Sequence, residues 1–209
     1  MVLYPFQTLV NAGINDILII TNPEDEHLFK RLFENFNNGS QKISFLVQEK
    51  PNGIAEAFIL AEDWLNDEGC TLILGDNIFI SDGLCESLHK FKDKKEGATI
   101  FAFQVDEPKR YGVVEFSNGN IVSIEEKPKK PKSNWAVTGL YVYDNSVIKK
   151  SKELSPSDRG ELEITDINLM YLKEGLLSVE LLDNNSYWLD AGTFDSLLEA
   201  GNLIKKINN

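Results

Sequence analysis

The sequence is poor in residues from which many sites and scaffolds are built. Its 209 residues include two cysteines, two histidines and two methionines. Cys70 and Cys85 make no metal-ligand spacing, and one possible pair is not a disulfide framework. They read as reduced thiols of a cytoplasmic protein. His27 and His89 fall on predicted helices with no partner at catalytic or metal spacing, so neither receives a role. No apolar run approaches the roughly 20 residues of a membrane span, and the N-terminus carries no basic leader region. Positive charge is scarce as well: 21 Lys and Arg against 33 Asp and Glu give a formal charge of −12. The one basic concentration, Lys127 to Lys132, is broken by two prolines. Neither nucleic acid nor a membrane is expected as a partner. An anionic ligand would have to rely on a few placed cations, backbone amides or a metal.

What is present is ordinary globular material, 42% hydrophobic and 26% charged, with no internal repeat. One domain over 1–209 is expected, in two parts, 1–105 and 106–209. In the first part helix and strand alternate. Leu3, Phe6, Leu9 and Val10 recur at helical spacing before Gly13, and Ile14 to Ile20 reads as a buried strand. Leu28, Leu32, Phe33 and Phe36 predict a helix with Asn38-Gly39 as its breaker, and Ile43 to Val47 a strand. Ile54, Phe58, Ala61 and Leu65 mark a third helix, Thr71 to Leu74 a parallel strand, Leu84, Leu88 and Phe91 a further helix, and Ala98 to Phe103 a strand. This order argues for a doubly wound, mainly parallel mixed sheet in the α/β class. Beyond Gln104 the pattern turns β-rich. Tyr111 to Phe116, a turn over Ser117 to Asn120 and Ile121 to Ile124 predict a hairpin. Val137 to Tyr143 and Leu177 to Leu182 predict strands, and Glu161 to Glu174 and Phe194 to Ile207 helices.

Several residues could carry chemistry. Asp76 follows an apolar strand, where magnesium bound with substrate phosphates would use one or two carboxylates. Gly75-Asp76-Asn77 is equally a turn leaving the sheet. Asp190 ends the run Tyr187-Trp188-Leu189, and can either join such a site or help cap the helix after it. Glu126-Lys127-Pro128 sets opposite charges at a strand exit fixed by proline, as a sugar-phosphate rim or a solvated edge. Arg159, ahead of a predicted helix, suits bidentate phosphate contact, or is a surface charge by a turn.

Taken in order, the segments are far more specific. They run Gln48…Pro51-Asn52-Gly53-Ile54-Ala55, Leu74-Gly75-Asp76-Asn77, Arg110-Tyr111-Gly112-Val113-Val114-Glu115-Phe116 and Glu125-Glu126-Lys127-Pro128. Ala136-Val137-Thr138-Gly139-Leu140-Tyr141, Arg159 to Asp166 and Trp188-Leu189-Asp190 continue the series. Together, from Met1 to about Lys206, they resemble the glucose-1-phosphate thymidylyltransferases among the sugar-phosphate nucleotidylyltransferases. The resemblance implies a Rossmann-like nucleotidyltransferase core, 1–105 binding nucleotide and 106–209 binding sugar phosphate. It implies magnesium, with dTTP and glucose 1-phosphate as partners and dTDP-glucose as product. Gln48 and the Gly53 backbone would read the pyrimidine edge. Asp76 and Asp190 would hold the metal. Tyr111, Gly112, Glu126, Val137 and Gly139 would line the sugar, and Lys127 and Arg159 would meet its phosphate.

The resemblance also sets departures. Its members begin with a strand and a glycine-rich loop carrying arginine, then a lysine, ahead of the point where this sequence opens. On that basis a weakly active or inactive chain is expected, with unpaired strand edges and an apolar groove where a central strand would lie. The alternative is a non-catalytic sugar-nucleotide-binding module. Glu56 stands where glutamine is usual, and Ala191 where threonine is. The longer members continue past Ile207 with helices linked to homo-oligomer contacts.

Overall fold

The computed structural model describes residues 1–36, 39–92, 96–183 and 185–207. Asn38 of the expected helix breaker and the side chain of Phe91 lie outside the described residues.

Helix α1 (Leu3–Asn11) buries Phe6 and Leu9, and ends where Gly13 adopts φ +73°. Strand β1 (Asp16–Thr21), helix α2 (Glu26–Phe36) and strand β2 (Lys42–Val47) follow, with β1 and β2 paired in parallel. The third expected helix is two short ones, α3 (Glu56–Leu60) and α4 (Glu62–Leu65), divided at Ala61. Strand β3 (Cys70–Ile73) leads into β4 (Asn77–Ile80), a strand not expected from the sequence, where Gly75-Asp76-Asn77 could read as a turn. Helix α5 (Leu84–Lys92), strand β5 (Ala98–Gln104) and a 3-10 turn (Pro108–Arg110) complete this stretch.

The expected hairpin is β6 (Gly112–Ser117) and β7 (Asn120–Glu126), and both turn residues, Asn118 and Gly119, have positive φ. That is the geometry of a type I′ connection, whose twist matches the strands it joins. Strand β8 (Trp135–Tyr143) is the most deeply buried, and helix α6 (Ser146–Glu153) follows it. Helix α7 (Ile164–Lys173), strands β9 (Leu177–Leu181) and β10 (Tyr187–Asp190), and helix α8 (Phe194–Ile207) close the chain.

The class is α/β with a mixed sheet, as expected, but five of the seven described ladders are antiparallel, so the pairing is not mainly parallel. A six-stranded sheet runs β7-β6-β8-β5-β9, with β3 also on β8. Parallel pairing occurs in β1·β2 and β5·β9, while the ladders built on β8 are antiparallel. Thr71 to Leu74 thus differs from the parallel strand expected there: its described ladder, Cys70 to Ile73 on Tyr143 to Leu140, is antiparallel. Strand β8 is central because both faces of its sheet are covered, and eight of its nine residues are buried. On one face Phe58, Tyr141, Tyr143, Ile167 and Tyr171 pack together; on the other, Phe101, Leu140, Val142 and Trp188 do.

The pair β1·β2 stands apart from the six-stranded sheet, with its own cluster of Phe6, Leu9, Ile17 and Phe33. Between it and β3 lies a cavity of about 620 Å³ lined by Phe6, Leu9, Ile17 to Ile20, Phe33, Ile73 and Asp76, among others. The expected apolar groove is therefore present, and one end of it reaches Asp76.

Candidate functional site

The site is built where β3, β8 and β10 end. After Ile73 the chain stays on β8 for one more bond, Leu74 N–H to the Gly139 carbonyl, and then turns at Gly75 and Asp76. Asn77, only 2% exposed, is the hinge of this turn. Its Oδ1 accepts from the Gly139 N–H at 2.9 Å and from Trp188 Nε1 at 2.5 Å, and its Nδ2 donates to Asp76 Oδ1 at 2.8 Å. One amide thus ties β8 to β10 and aims Asp76. Only glycine serves at 139, because a Cβ there would lie 2.6 Å from Asn77 Oδ1.

Asp190 pairs across the β4·β10 ladder with Asn77, and Ala191 N–H donates to the Asp76 carbonyl at 2.9 Å. A Cβ on Gly192 would sit 2.8 Å from Asp76 Oδ2 and 3.2 Å from Asp190 Oδ1. The two carboxylates therefore converge on one point, which the missing side chain of Gly192 leaves open. Among the described residues no group of three or more His, Cys, Asp or Glu is placed to hold a metal. Two acidic groups with open space between them fit magnesium, which keeps water and phosphate oxygens in its remaining positions.

The next wall is the mouth of the β6–β7 hairpin. Gly112 pairs with Glu126, and a Cβ at 112 would lie 3.3 Å from Glu126 Oε2, 3.4 Å from Thr165 Oγ1 and 3.6 Å from the Val137 Cβ. Thr165 donates to Glu126 Oε2 at 2.6 Å, fixing one carboxylate oxygen and leaving the other outward. The Tyr111 ring meets Trp188 edge-on at 4.9 Å between centroids. Burial raises the Tyr111 hydroxyl pKa, with Asp190 adding and Arg110 opposing. Gly112, Glu126 and Val137 thus cluster with Thr165, while Gly139 and, through Trp188, Tyr111 gather at Asn77.

Lys127 leaves this rim in the left-handed region at φ +43°, a conformation non-glycine residues adopt at a cost. Its N–H donates to the Tyr111 carbonyl at 3.0 Å, and its Nζ lies 3.9 Å from Glu126 Oε1. Arg159 forks onto Glu163, Nη2 to Oε2 at 2.8 Å and Nε to Oε1 at 3.1 Å, and lies 3.3 Å from Glu161. Burial opposes charge on Glu163, but the Arg159 and Ser157 hydrogen bonds and nearby Lys127 outweigh it and hold its pKa below the usual value. Arg159 is therefore pre-oriented by an ionised partner. It also feels the charge of Glu126, so the guanidinium and Lys127 face the same rim.

The third wall joins β2 to α3. Gln48 Nε2 donates to the Gly53 carbonyl at 3.1 Å and to Glu56 Oε2 at 2.6 Å, and Asn52 Nδ2 donates to Glu56 Oε1 at 2.8 Å. Gly53 has φ +104°, and a Cβ on it would meet the Leu162 nitrogen at 2.6 Å. Leu162 N–H donates to the Asn52 carbonyl at 2.6 Å, and Ala55 N–H to the Leu162 carbonyl at 3.3 Å. The Asn52–Gly53 turn and the segment carrying Arg159 are thus stitched together.

Sequence reasoning missed Asn77, Thr165, Glu163 and Trp188 as shapers of the site. Asn77 was legible only as a turn former. Thr165 and Glu163 lay inside the Arg159 to Asp166 segment without a spacing that marked them. Cys70 and Cys85 are both free, and burial pushes the Cys70 thiol up to about 12, as for an unreactive core thiol.

Paired carboxylates at strand ends, beside the glycine-lined hairpin mouth and the Asn52–Gly53 turn, lie on an α/β fold where such folds place nucleotide chemistry. The chain belongs to the nucleotidyl transferase family, whose model matches residues 1–207. It is 49% identical over its whole length to a glucose-1-phosphate thymidylyltransferase of Neisseria meningitidis serogroup A / serotype 4A, covering 73% of that protein. It is 49% identical over 99% of its length to the glucose-1-phosphate thymidylyltransferase of Mycolicibacterium smegmatis, covering 72% of it. Among solved structures, one from Bacillus anthracis described as a glucose-1-phosphate thymidylyltransferase in complex with a sucrose superposes with a TM-score of 0.88. That match is at 42% identity and covers 97% of this chain and 81% of the other. A UDP-glucose pyrophosphorylase complexed with UDP-glucose shares the fold at a TM-score of 0.80 and 21% identity, over 97% and 85% of the two chains. The relatives are transferases, which sets the transferase reading above that of a binding module.

Proposed function

We propose that this site joins a thymidine nucleotide to glucose 1-phosphate, with magnesium held by Asp76 and Asp190. The observation that carries the reading is the meeting of those two carboxylates at Gly192, together with the Gly112–Glu126–Thr165 cluster. In the reaction a sugar-phosphate oxygen attacks the α-phosphorus of dTTP. The bond from that phosphorus to the bridging oxygen breaks, and pyrophosphate leaves with the electron pair. Bound metal would supply charge neutralisation at the phosphates.

The chain's own groups do the aligning. Glu126, with one oxygen engaged by Thr165, accepts from sugar hydroxyls, while the absent side chains at 112 and 139 leave Glu126 and the Asn77 amide in their places. Lys127 and Arg159 receive the sugar phosphate, each sharing its charge with the carboxylates that orient it. Gln48 and the Gly53 N–H meet the pyrimidine edge. Among the described residues no helix is long and apolar enough to cross a membrane. A cytoplasmic setting, where nucleotide sugars are assembled and thiols stay reduced, belongs to the same proposal.

Isothermal calorimetry of the 209-residue chain tests it. Binding of dTDP-glucose is expected, strengthened by magnesium in the wild type and indifferent to magnesium in Asp76→Asn and Asp190→Asn. A folded wild type giving no heat with dTDP-glucose, or a magnesium effect that survives both substitutions, overturns the reading.

A further inference from the structure

Glu56 is a charged group on the wall assigned to the base, and its surroundings make it more than a substitute for an amide. Its two oxygens are both taken: Oε2 by Gln48 Nε2 at 2.6 Å and Oε1 by Asn52 Nδ2 at 2.8 Å. The second acceptor on Gln48 Nε2 is the Gly53 carbonyl at 3.1 Å. Carboxylate and carbonyl oxygens only accept, so the Gln48 amide must turn both of its protons toward them. The atom left for a ligand is the Gln48 carbonyl oxygen.

We infer that Glu56 is a positioning residue for base selection: by fixing the Gln48 amide it makes this wall an acceptor, and so selects pyrimidines that carry a proton on N3. The inference rests on the base-reading role given above to Gln48. Thymine and uracil present an N3–H donor flanked by oxygen acceptors, which the Gln48 oxygen and the Gly53 N–H complement. Cytosine presents a lone pair at N3, which the Gln48 oxygen repels. Glutamine at 56 could donate or accept. With that hold relaxed, the Gln48 amide, kept only by the Gly53 carbonyl, would be freer to turn and offer its protons to the N3 lone pair and carbonyl oxygen of cytosine. The Asn52 bond and the Leu162 clamp hold the turn in place, so removing the charge leaves the wall standing and changes only its polarity.

The test is calorimetry with dTDP, dUDP and dCDP on the wild-type chain and on Glu56→Gln. The wild type is expected to bind dTDP and dUDP alike and to disfavour dCDP. Glu56→Gln should narrow the dTDP-to-dCDP preference by about tenfold or more, the scale of one hydrogen bond made or left unmade at a closed site. A merely structural role would weaken all three ligands together and leave the ratio unchanged, which overturns the inference. A wild type that binds dTDP and dCDP equally overturns it as well. One that binds neither removes the base-reading role first, and this inference with it. Should Glu56→Gln fail to melt cooperatively, the side-chain amide protons of Gln48 in the wild type answer by NMR. Slow exchange, with little shift on adding dTDP, supports the assignment, and a large shift of those protons overturns it.

Discussion

At the scale of single residues the site depends on what three glycines omit. Gly112, Gly139 and Gly192 stand where a Cβ would press on Glu126, Asn77 and Asp76 respectively. The obstacle differs in kind between them. At 139 the clash is with a buried amide already committed to three hydrogen bonds, so relief would come from the core. At 192 it is with Asp76 Oδ2, the carboxylate oxygen that Asn77 does not hold, at the end of a side chain that can rotate about its hydrogen bond to Asn77. Gly192→Ala should therefore leave the melting temperature within a degree or two of wild type. Magnesium affinity should fall roughly 10-fold to 100-fold, the range seen when groups orienting metal ligands are disturbed. Titration of Mg²⁺ by calorimetry alongside a thermal melt checks both halves. A large loss of stability with unchanged metal affinity would place Gly192 in the core instead of the site.

Among the elements, helix α6 shows how a charge can occupy a core position. Lys150 is 7% exposed, donates to Glu174 at 2.6 Å and lies 4.6 Å from the Tyr171 ring centroid. Its stem fills space between α6 and α7 while its head finds a carboxylate and an aromatic face. Lys150→Ala removes all three and is expected to cost about 2 kcal/mol in urea unfolding, with Glu174→Gln costing less because Glu174 is largely exposed. The same residue explains why α6 was not legible in the sequence. Val147 and Ile148 are adjacent, and the next buried positions are Lys150 and Ser151, so no apolar period appears. Strand β4 was hidden for a different reason. Its four residues begin with Asn77, and a polar residue after Asp76 reads as a turn until Trp188 and Gly139 are seen to need its amide. The division of α3 from α4 at Ala61 has no sequence signal. Helix α7 begins at Ile164, later than expected, because Leu162 is spent on closing the Asn52–Gly53 turn. By contrast α8, α2 and the β6–β7 hairpin were readable, since long periodic faces and an Asn-Gly turn declare themselves locally. The site was legible as an ordered series of segments. Their convergence was not, because it is made by ladder registers and by glycines whose role is to be empty.

For the whole molecule the decisive feature is the separation of β1·β2 from the six-stranded sheet. Its cluster has four buried residues, whereas the cluster around Tyr143 has sixteen. The cavity between them exposes apolar side chains from α1, α2 and β1. Local stability follows buried apolar contact, so amides of β1 and β2 should exchange with deuterium well before those of β8. The groove should also enhance 1-anilinonaphthalene-8-sulfonate fluorescence at neutral pH in the folded chain, an effect that Ile20→Glu should reduce. Uniform protection across both sheets, with no dye binding, would show that the two parts open together and that the cavity is closed in solution.

The stitching of Leu162 to the Asn52–Gly53 turn has a consequence for how such a catalyst discriminates. On the proposed function, the backbone that would greet the nucleobase is bonded directly to the segment that would present the guanidinium to the sugar's anionic end. A wrong base would tilt that joined backbone and misplace the cation several residues away, so an error in one half of the product would be felt as slackness in the other. Discrimination between substrate pairs would then rest partly on a few main-chain bonds that touch neither substrate.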